Sequence, residues 1–148
     1  MLPSTKIKLR SFTRLILCLA AAFIIAKVTI SATSAASSDG RELYLKYCAA
    51  CHGADLKGQP NWRAQKPDGT RPAPPHDETG HTWHHPDQLL FDYTKFGGKA
   101  LYPKANSAMP GFKDSLSDQQ IWGVLNYIKS RWPEQIRKRH KMMNQRSR

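Results

Sequence analysis

Cysteine is scarce in this sequence, with three residues among 148. Cys18 lies inside an apolar run near the start, so only Cys48 and Cys51 remain for the rest of the chain. Two cysteines three positions apart close a loop too small to join distant parts of a fold, which excludes a disulfide-stabilised scaffold. A small domain without such disulfides needs another source of stability, such as a metal or a cofactor.

Acidic residues are absent from the first 36 positions. That segment contains an apolar run, LILCLAAAFIIA at residues 15–26, which follows several basic residues. Small residues, SATSAASS at residues 31–38, come after it. This order of basic, apolar and small residues predicts a secretory signal that is cut near Ala35 or Ala36.

The alternative for residues 1–36 is an uncleaved membrane anchor. Lys27 interrupts the apolar run after twelve residues, whereas a spanning helix needs about 20. However, a lysine can snorkel to the interface, and VTI prolongs the apolar character beyond it. In both cases we expect the remaining chain to be exported to the periplasm, either free or tethered to the inner membrane.

Positive charge is unevenly distributed along the chain, whose formal net charge is +12. Five of the 23 basic residues lie in residues 1–36 and six in the last twelve positions, which leaves twelve against eleven acidic residues elsewhere. A nearly neutral domain excludes a basic nucleic-acid-binding face. We therefore expect a signal or anchor at 1–36, a domain at 37–133 and a basic, solvated C-terminal extension at 134–148, which could alternatively contact an acidic partner or anionic lipid.

No segment alternates between apolar and polar residues as a half-buried strand would, and no internal repeat is present. Helical spacing of apolar residues occurs at residues 39–50, 87–96 and 117–131. Ser117 and Gln120 form a capping box at the start of the third segment, and a polar helix is expected to resume at residues 134–144. These patterns predict an all-α fold of a few short helices.

Proline and glycine interrupt the middle of the chain, residues 61–86. A long loop without regular structure needs an explanation in a compact domain, because it buries little apolar surface. We therefore expect a large apolar group at the centre of the domain.

The motif CAACH at residues 48–52 predicts what that group is. C-x-x-C-H is the attachment signature of a c-type haem. Cys48 and Cys51 are spaced to form thioethers with the two vinyl groups, and His52 is then placed to bind the iron. Export agrees with this interpretation, because haem is attached outside the cytoplasm.

Two other interpretations of this motif are weaker. A thioredoxin-like dithiol follows a strand at the start of a helix, whereas this motif ends a helix before Gly53. A structural zinc site needs a second pair of ligands, and the sequence contains no further cysteine pair.

A sixth iron ligand is expected in an electron carrier, and Met109 is the candidate. It lies in NSAMPGF, a loop just before the capping box, where Pro110 favours an extended backbone at Met109. Met1 is the start residue, and Met142 and Met143 lie in the basic extension. A histidine in place of Met109 is the alternative ligand.

The motifs CAACH at 48–52, MPGF at 109–112 and QIWGVLNYIKSRW at 120–132 resemble class I c-type cytochromes. The similarity is closest to small bacterial monohaem domains of the cbb3-type or COX-like group. It implies a cytochrome c-like fold, with short helices and long loops around one covalent haem c.

The resemblance also implies particular contacts. Gly40, with Tyr44 or Tyr47, would meet Val124 and Tyr127 where the first and last helices of the domain cross. A proline carbonyl would accept a hydrogen bond from Nδ1 of the haem-binding histidine, and in RPAPPH we expect Pro74, with Pro75 as the alternative. The family often has leucine two places after that proline, whereas this chain has a histidine.

We therefore expect a monomeric one-electron carrier of a respiratory or related periplasmic chain, with His52 and Met109 as iron ligands and an oxidase or dehydrogenase as partner. The sequence shows no nucleophile–base pair, phosphate loop or paired carboxylates, so we expect no enzyme. Two alternatives stay open. One is a haem-based gas sensor or small catalyst with a labile sixth ligand. The other is a copper-handling redox module that uses the histidines between His76 and His85.

Overall fold

Helices are the only regular elements in residues 40–147, the part of the chain that this computed structural model describes. The helices are α1 (residues 40–47), α2 (Ala49–His52), α3 (Asp87–Phe96), α4 (Gly98–Leu101), α5 (Asp118–Ser130) and α6 (Glu134–Arg146). Two 3-10 turns, Thr82–His84 and Pro103–Ala105, lie between them. The all-α prediction is confirmed. The predicted signal or anchor at 1–36 lies outside the described residues.

The first predicted helix, at residues 39–50, is observed as two helices, the second of which ends two residues later, at His52. The structure interrupts it at Cys48, so that α1 and α2 are separate. The Cys48 carbonyl accepts from the amide of Cys51 at 3.1 Å and from that of His52 at 2.9 Å. The chain therefore tightens into a 3-10-like turn at Cys48, while its backbone hydrogen bonds continue from α1 into α2. That turn sets the direction in which the CxxCH side chains point.

Helices α1 and α5 cross at a glycine contact. A Cβ on Gly40 would lie 2.8 Å from the Gly123 carbonyl carbon and 3.4 Å from Cβ of Tyr127. One turn further along, the rings of Tyr44 and Tyr127 lie 5.4 Å apart. Tyr44 is completely buried in one cluster with Val124 and three other core residues (Leu56, Ile128 and Trp132). The contact implied by the family resemblance is therefore present, with Gly123 as an additional member.

Helix α5 also packs against α3. Ser117 accepts from the amide of Gln120, and the Gln120 side chain accepts from the amide of Ser117, as the predicted capping box requires. The ring of Phe91 on α3 stacks on that of Trp122 on α5, with centroids 4.7 Å apart. Phe91 belongs to a second buried cluster, which otherwise consists of Leu116, Ile121 and Leu125. One part of the apolar stripe of α5 is therefore buried against α1, and another part is buried against α3.

The C-terminal extension is a helix, as expected from residue 134 onward. It is not solvated on all sides. His140 is 4% exposed, its ring lies 4.9 Å from that of Trp132, and its Nε2 lies 3.1 Å from the His85 carbonyl oxygen. The expected solvated end is therefore packed against the domain on one face of α6. Among residues 40–147, no helix is both long enough and apolar enough to cross a membrane.

Candidate functional site

A hydrogen bond from α1 holds the end of the CxxCH turn in place. The Tyr44 hydroxyl donates to the Gly53 carbonyl at 2.8 Å, and burial raises the pKa of that hydroxyl, so it stays protonated and can donate. Gly53 ends α2 with a φ of +78°, which L side chains rarely adopt. Gly53 therefore ends helix α2 and is also hydrogen-bonded to the buried Tyr44. The three side chains of the motif project from one rigid turn.

Cys48 and Cys51 are not joined by a disulfide. Cys48 is partly buried and Cys51 is exposed. Burial, assisted by the neighbouring Cys51, raises the pKa of the Cys48 thiol to about 11. Redox dithiols of the thioredoxin kind have a lowered thiol pKa, so this environment argues against that interpretation.

His52 is 7% exposed, and its Nδ1 lies 2.9 Å from the Pro74 carbonyl oxygen. A carbonyl oxygen only accepts, so Nδ1 must carry the proton and Nε2 keeps its lone pair. Burial lowers the pKa of His52, although the bond to Pro74 acts in the opposite direction. The ring is therefore a neutral imidazole whose Nε2 is ready to bind a metal.

Pro74 is held in place by the loop before it. A Cβ on Gly58 would lie 2.5 Å from the Pro74 carbonyl carbon, so the two segments are in direct backbone contact. The Gln59 amide donates to the Ala73 carbonyl at 2.9 Å, and the Gln59 side chain accepts from the Ala73 amide at 3.1 Å. Of the two prolines considered from the sequence, the structure brings Pro74 to His52. The long loop thus has a defined path at this point.

Met109 lies on a separate segment that is attached to the end of α3. Its carbonyl accepts from the Gly98 amide at 3.1 Å, and its amide lies 3.3 Å from the Ser107 hydroxyl. Gly97 has a φ of +85°, and a Cβ there would lie 2.6 Å from the Gly111 nitrogen. Larger residues at Gly97 would push the Met109 segment away. Within the described chain, no hydrogen bond joins this segment to α2.

Two further bonds continue the attachment of the Met109 segment to α3. The Phe112 amide donates to the Thr94 carbonyl and the Lys113 amide donates to the Lys95 carbonyl, each at 3.0 Å. These are the last carbonyls of a helix, which otherwise lack partners. The loop therefore provides hydrogen-bond partners for the end of α3 and holds Met109 in a partly buried position.

The histidines of the loop have different ring partners. His76 stacks on His52 with centroids 4.0 Å apart, His81 stacks on Trp62 at 5.3 Å, and His84 packs on Trp83 at 3.7 Å. The rings of His81 and His85 also approach one another, edge to face at 5.3 Å. Within residues 40–147, no three His, Cys, Asp or Glu side chains are grouped to hold a metal ion. The observed arrangement therefore gives no support to the alternative of a copper site in this loop.

Sequence reasoning did not find the contact between His76 and His52. The His76 amide donates to the Leu56 carbonyl at 2.7 Å, and its carbonyl accepts from the Trp132 indole at 2.6 Å. Burial lowers the pKa of His76 well below its ordinary value, and the neighbouring imidazoles of His52 and His81 contribute to this shift. The one signal in the sequence was the departure from the leucine that the family often has at this position.

Two comparisons with known proteins found similar sequences. Residues 37–132 match the family model described as Cytochrome c. The cytochrome c subunit of a quinone alcohol dehydrogenase from Gluconobacter oxydans is 36% identical over 98 residues, covering 63% of this chain and 18% of that subunit. The chain therefore spans less than a fifth of the length of that relative. No solved structure matches the chain with significance.

Proposed function

This chain belongs to the cytochrome c family, and we propose that it is a periplasmic one-electron carrier whose haem iron is bound by His52 and Met109. Family membership shows that the chain is a class I c-type cytochrome with covalently bound haem c and a role in electron transfer. The ligands, the location and the partner are the proposed part. The observation that carries the proposal is the buried His52 ring, with Nδ1 bonded to the Pro74 carbonyl directly after the CxxC pair.

The side chains present fit a haem c. Cys48 and Cys51 supply two thiols on one turn, His52 supplies an imidazole nitrogen with a free lone pair, and Met109 supplies a thioether. When bound, the haem supplies an iron that alternates between the ferric and ferrous states. Thioether ligation favours the ferrous state, so Met109 is expected to raise the reduction potential. The Pro74 bond orients His52 and increases its basicity toward the metal.

Rigidity of both ligand segments suits electron transfer better than catalysis. His52 is fixed through α2, Tyr44 and Pro74, and Met109 is fixed through the end of α3. A sixth position closed by a protein side chain leaves no place for a substrate or gas. Ligands that keep their places in both oxidation states also require little rearrangement when the electron moves. We therefore place the function in electron transfer and not in catalysis.

The relative in Gluconobacter oxydans is named as a subunit of a quinone alcohol dehydrogenase. By analogy, we propose that this chain exchanges electrons with a dehydrogenase or an oxidase on the periplasmic side of the membrane. Contacts of this kind are usually small and transient, which agrees with a monomeric carrier.

The optical spectrum of the haem-loaded protein tests the ligand assignment. We expect the sulfur-to-iron charge-transfer band in the ferric form and no binding of carbon monoxide to the ferrous form. Met109→Ala should abolish the band and allow carbon monoxide to bind. Met142→Ala is the matched control, because Met142 is 51% exposed on α6.

A different result in the unsubstituted protein would reject the proposal. If the band is missing and carbon monoxide binds at once, the sixth position is open or weakly held. The gas-sensor or small-catalyst alternative then replaces the electron carrier. If the band is missing but carbon monoxide still fails to bind, a different side chain closes the iron, and a histidine is the first to test.

A further inference from the structure

The ring of His76 covers one face of the ring of His52. The two centroids are 4.0 Å apart and the planes differ by 21°. Aromatic rings at this separation are in direct van der Waals contact. A hydrogen bond at Nδ1 restrains an imidazole at one atom, whereas a parallel neighbour restrains its whole plane. The two contacts on His52 therefore act on different degrees of freedom.

His76 is itself immobilised at several points. Its Nδ1 lies 2.8 Å from the Thr82 hydroxyl, and Thr82 is only 5% exposed. Its backbone amide and carbonyl are bonded to the Leu56 carbonyl and to the Trp132 indole. Trp132 is 1% exposed at the end of α5. Thr82 therefore restrains the ring, and Leu56 and Trp132 restrain the backbone that carries it.

We propose that His76 is a positioning residue that sets the plane of the His52 imidazole when His52 binds the haem iron. This inference rests on the proposed role of His52 as an iron ligand and goes beyond it. Pro74 fixes the direction of the Nδ1–H bond, and His76 prevents rotation of the ring about its Cβ–Cγ bond. An imidazole that binds iron through a ring nitrogen would direct its π orbital perpendicular to the ring, so the plane of His52 would decide which iron d orbital it overlaps.

The electron paramagnetic resonance spectrum of the ferric protein measures that plane. The splitting of the g values depends on how the axial ligands are oriented, and the spread of the haem methyl proton shifts reports the same property by NMR. Replacement of His76 by leucine, His76→Leu, removes the stacked ring. We expect shifted or broadened g values and a changed spread of methyl shifts, with haem still attached and the iron still low-spin.

Two matched variants separate positioning from simple packing. His76→Phe keeps an aromatic face against His52, so its g values should return toward those of the unsubstituted protein. His84→Leu removes an exposed histidine from the same loop, where the ring packs on Trp83, and should change nothing. Thermal stability is recorded for each. Unchanged g values and methyl shifts in His76→Leu, with lowered stability alone, would overturn the inference. An identical spectral change in His76→Phe would overturn it too.

Thr82→Val serves if His76→Leu does not mature. It removes the hydroxyl bonded to Nδ1 of His76 but leaves both rings in the protein, so we expect the same spectral change at smaller amplitude. No change in that variant would overturn the inference. The charge-transfer band of the unsubstituted protein tests Met109 separately. If that band is missing, Met109 is rejected as a ligand, but this inference is still tested, because each variant is compared with an unsubstituted protein that has the same sixth ligand.

Discussion

At the scale of single residues, the contact between Gly40 and Gly123 is asymmetric. A Cβ on Gly40 would collide with the Gly123 carbonyl group, which belongs to the backbone of α5 and cannot move aside. A Cβ on Gly123 would meet only the Gly40 Cα at 3.7 Å, which is an ordinary van der Waals distance. The same chemical change should therefore have opposite consequences at two residues that touch each other.

We expect Gly40→Ala to lower the free energy of unfolding by about 1–3 kcal/mol, because α1 must move away from α5. Gly123→Ala is the control, and it should leave stability equal or higher, since alanine is better than glycine in a helix interior by about 1 kcal/mol. Urea unfolding of the haem-loaded proteins measures both. Equal losses in the two variants would contradict the crossing geometry.

At the scale of elements, α6 supplies a cap for α3. The residue before α3 is Pro86, whose side chain has no oxygen to accept from the first amides of the helix. Asn144 on α6 performs this function, because its Oδ1 accepts from the Asp87 amide at 2.7 Å. The carboxylate of Asp87 is in turn bonded to Lys129 on α5 at 2.9 Å. Three helices therefore meet at the start of α3.

We expect Asn144→Ala to cost about 1 kcal/mol of stability, as the loss of a helix cap does elsewhere. The neighbouring Gln145 is exposed, and its side chain makes no hydrogen bond within the described chain, so Gln145→Ala should change stability by less than about 0.5 kcal/mol. Thermal unfolding of both variants measures these two changes in stability. A loss of equal size in Gln145→Ala would show that the cost comes from the propensity of α6 and not from the cap.

At the scale of the whole molecule, pH is expected to affect the contact of α6 with the rest of the domain, because that contact contains a buried histidine. The buried His140 ring faces the Asp87 carboxylate, Lys129, the His85 carbonyl and the Asn144 amide, and its edge packs on Trp132. Burial lowers the pKa of His140, and Lys129 acts in the same direction. Asp87 and the His85 carbonyl oppose the shift. The neutral ring is therefore the form that the folded protein prefers.

We expect stability to fall as the pH drops below about 6.5, the ordinary pKa of an imidazole. Between that value and the lower pKa of folded His140, the unfolded chain binds more protons than the folded one, which favours unfolding. His140→Gln keeps a donor for the His85 carbonyl but cannot be protonated. It should weaken the pH dependence of the urea midpoint between about pH 7.5 and about pH 5.5. An unchanged dependence would place the effect on the other histidines, whose pKa values are also lowered by burial.

Local patterns in the sequence were sufficient to predict the longer helices and the cofactor. The capping box at Ser117 and the helix at residues 87–96 follow from residues that are close in the chain, and the structure places both as predicted. The haem follows from CAACH because covalent chemistry requires those residues at that spacing. Such signals do not depend on how distant parts of the chain meet.

The surroundings of the site required the tertiary structure. The choice of Pro74 for His52, the stacking of His76 and the bond from Trp132 join residues 22, 24 and 56 positions apart. Asn144 reaches Asp87 across 57 positions. The first two contacts run through a loop without periodicity, and the others join segments more than 50 positions apart, so packing and not local preference sets them. Motif spacing therefore predicted the ligands, and only the folded chain determined which residues surround them.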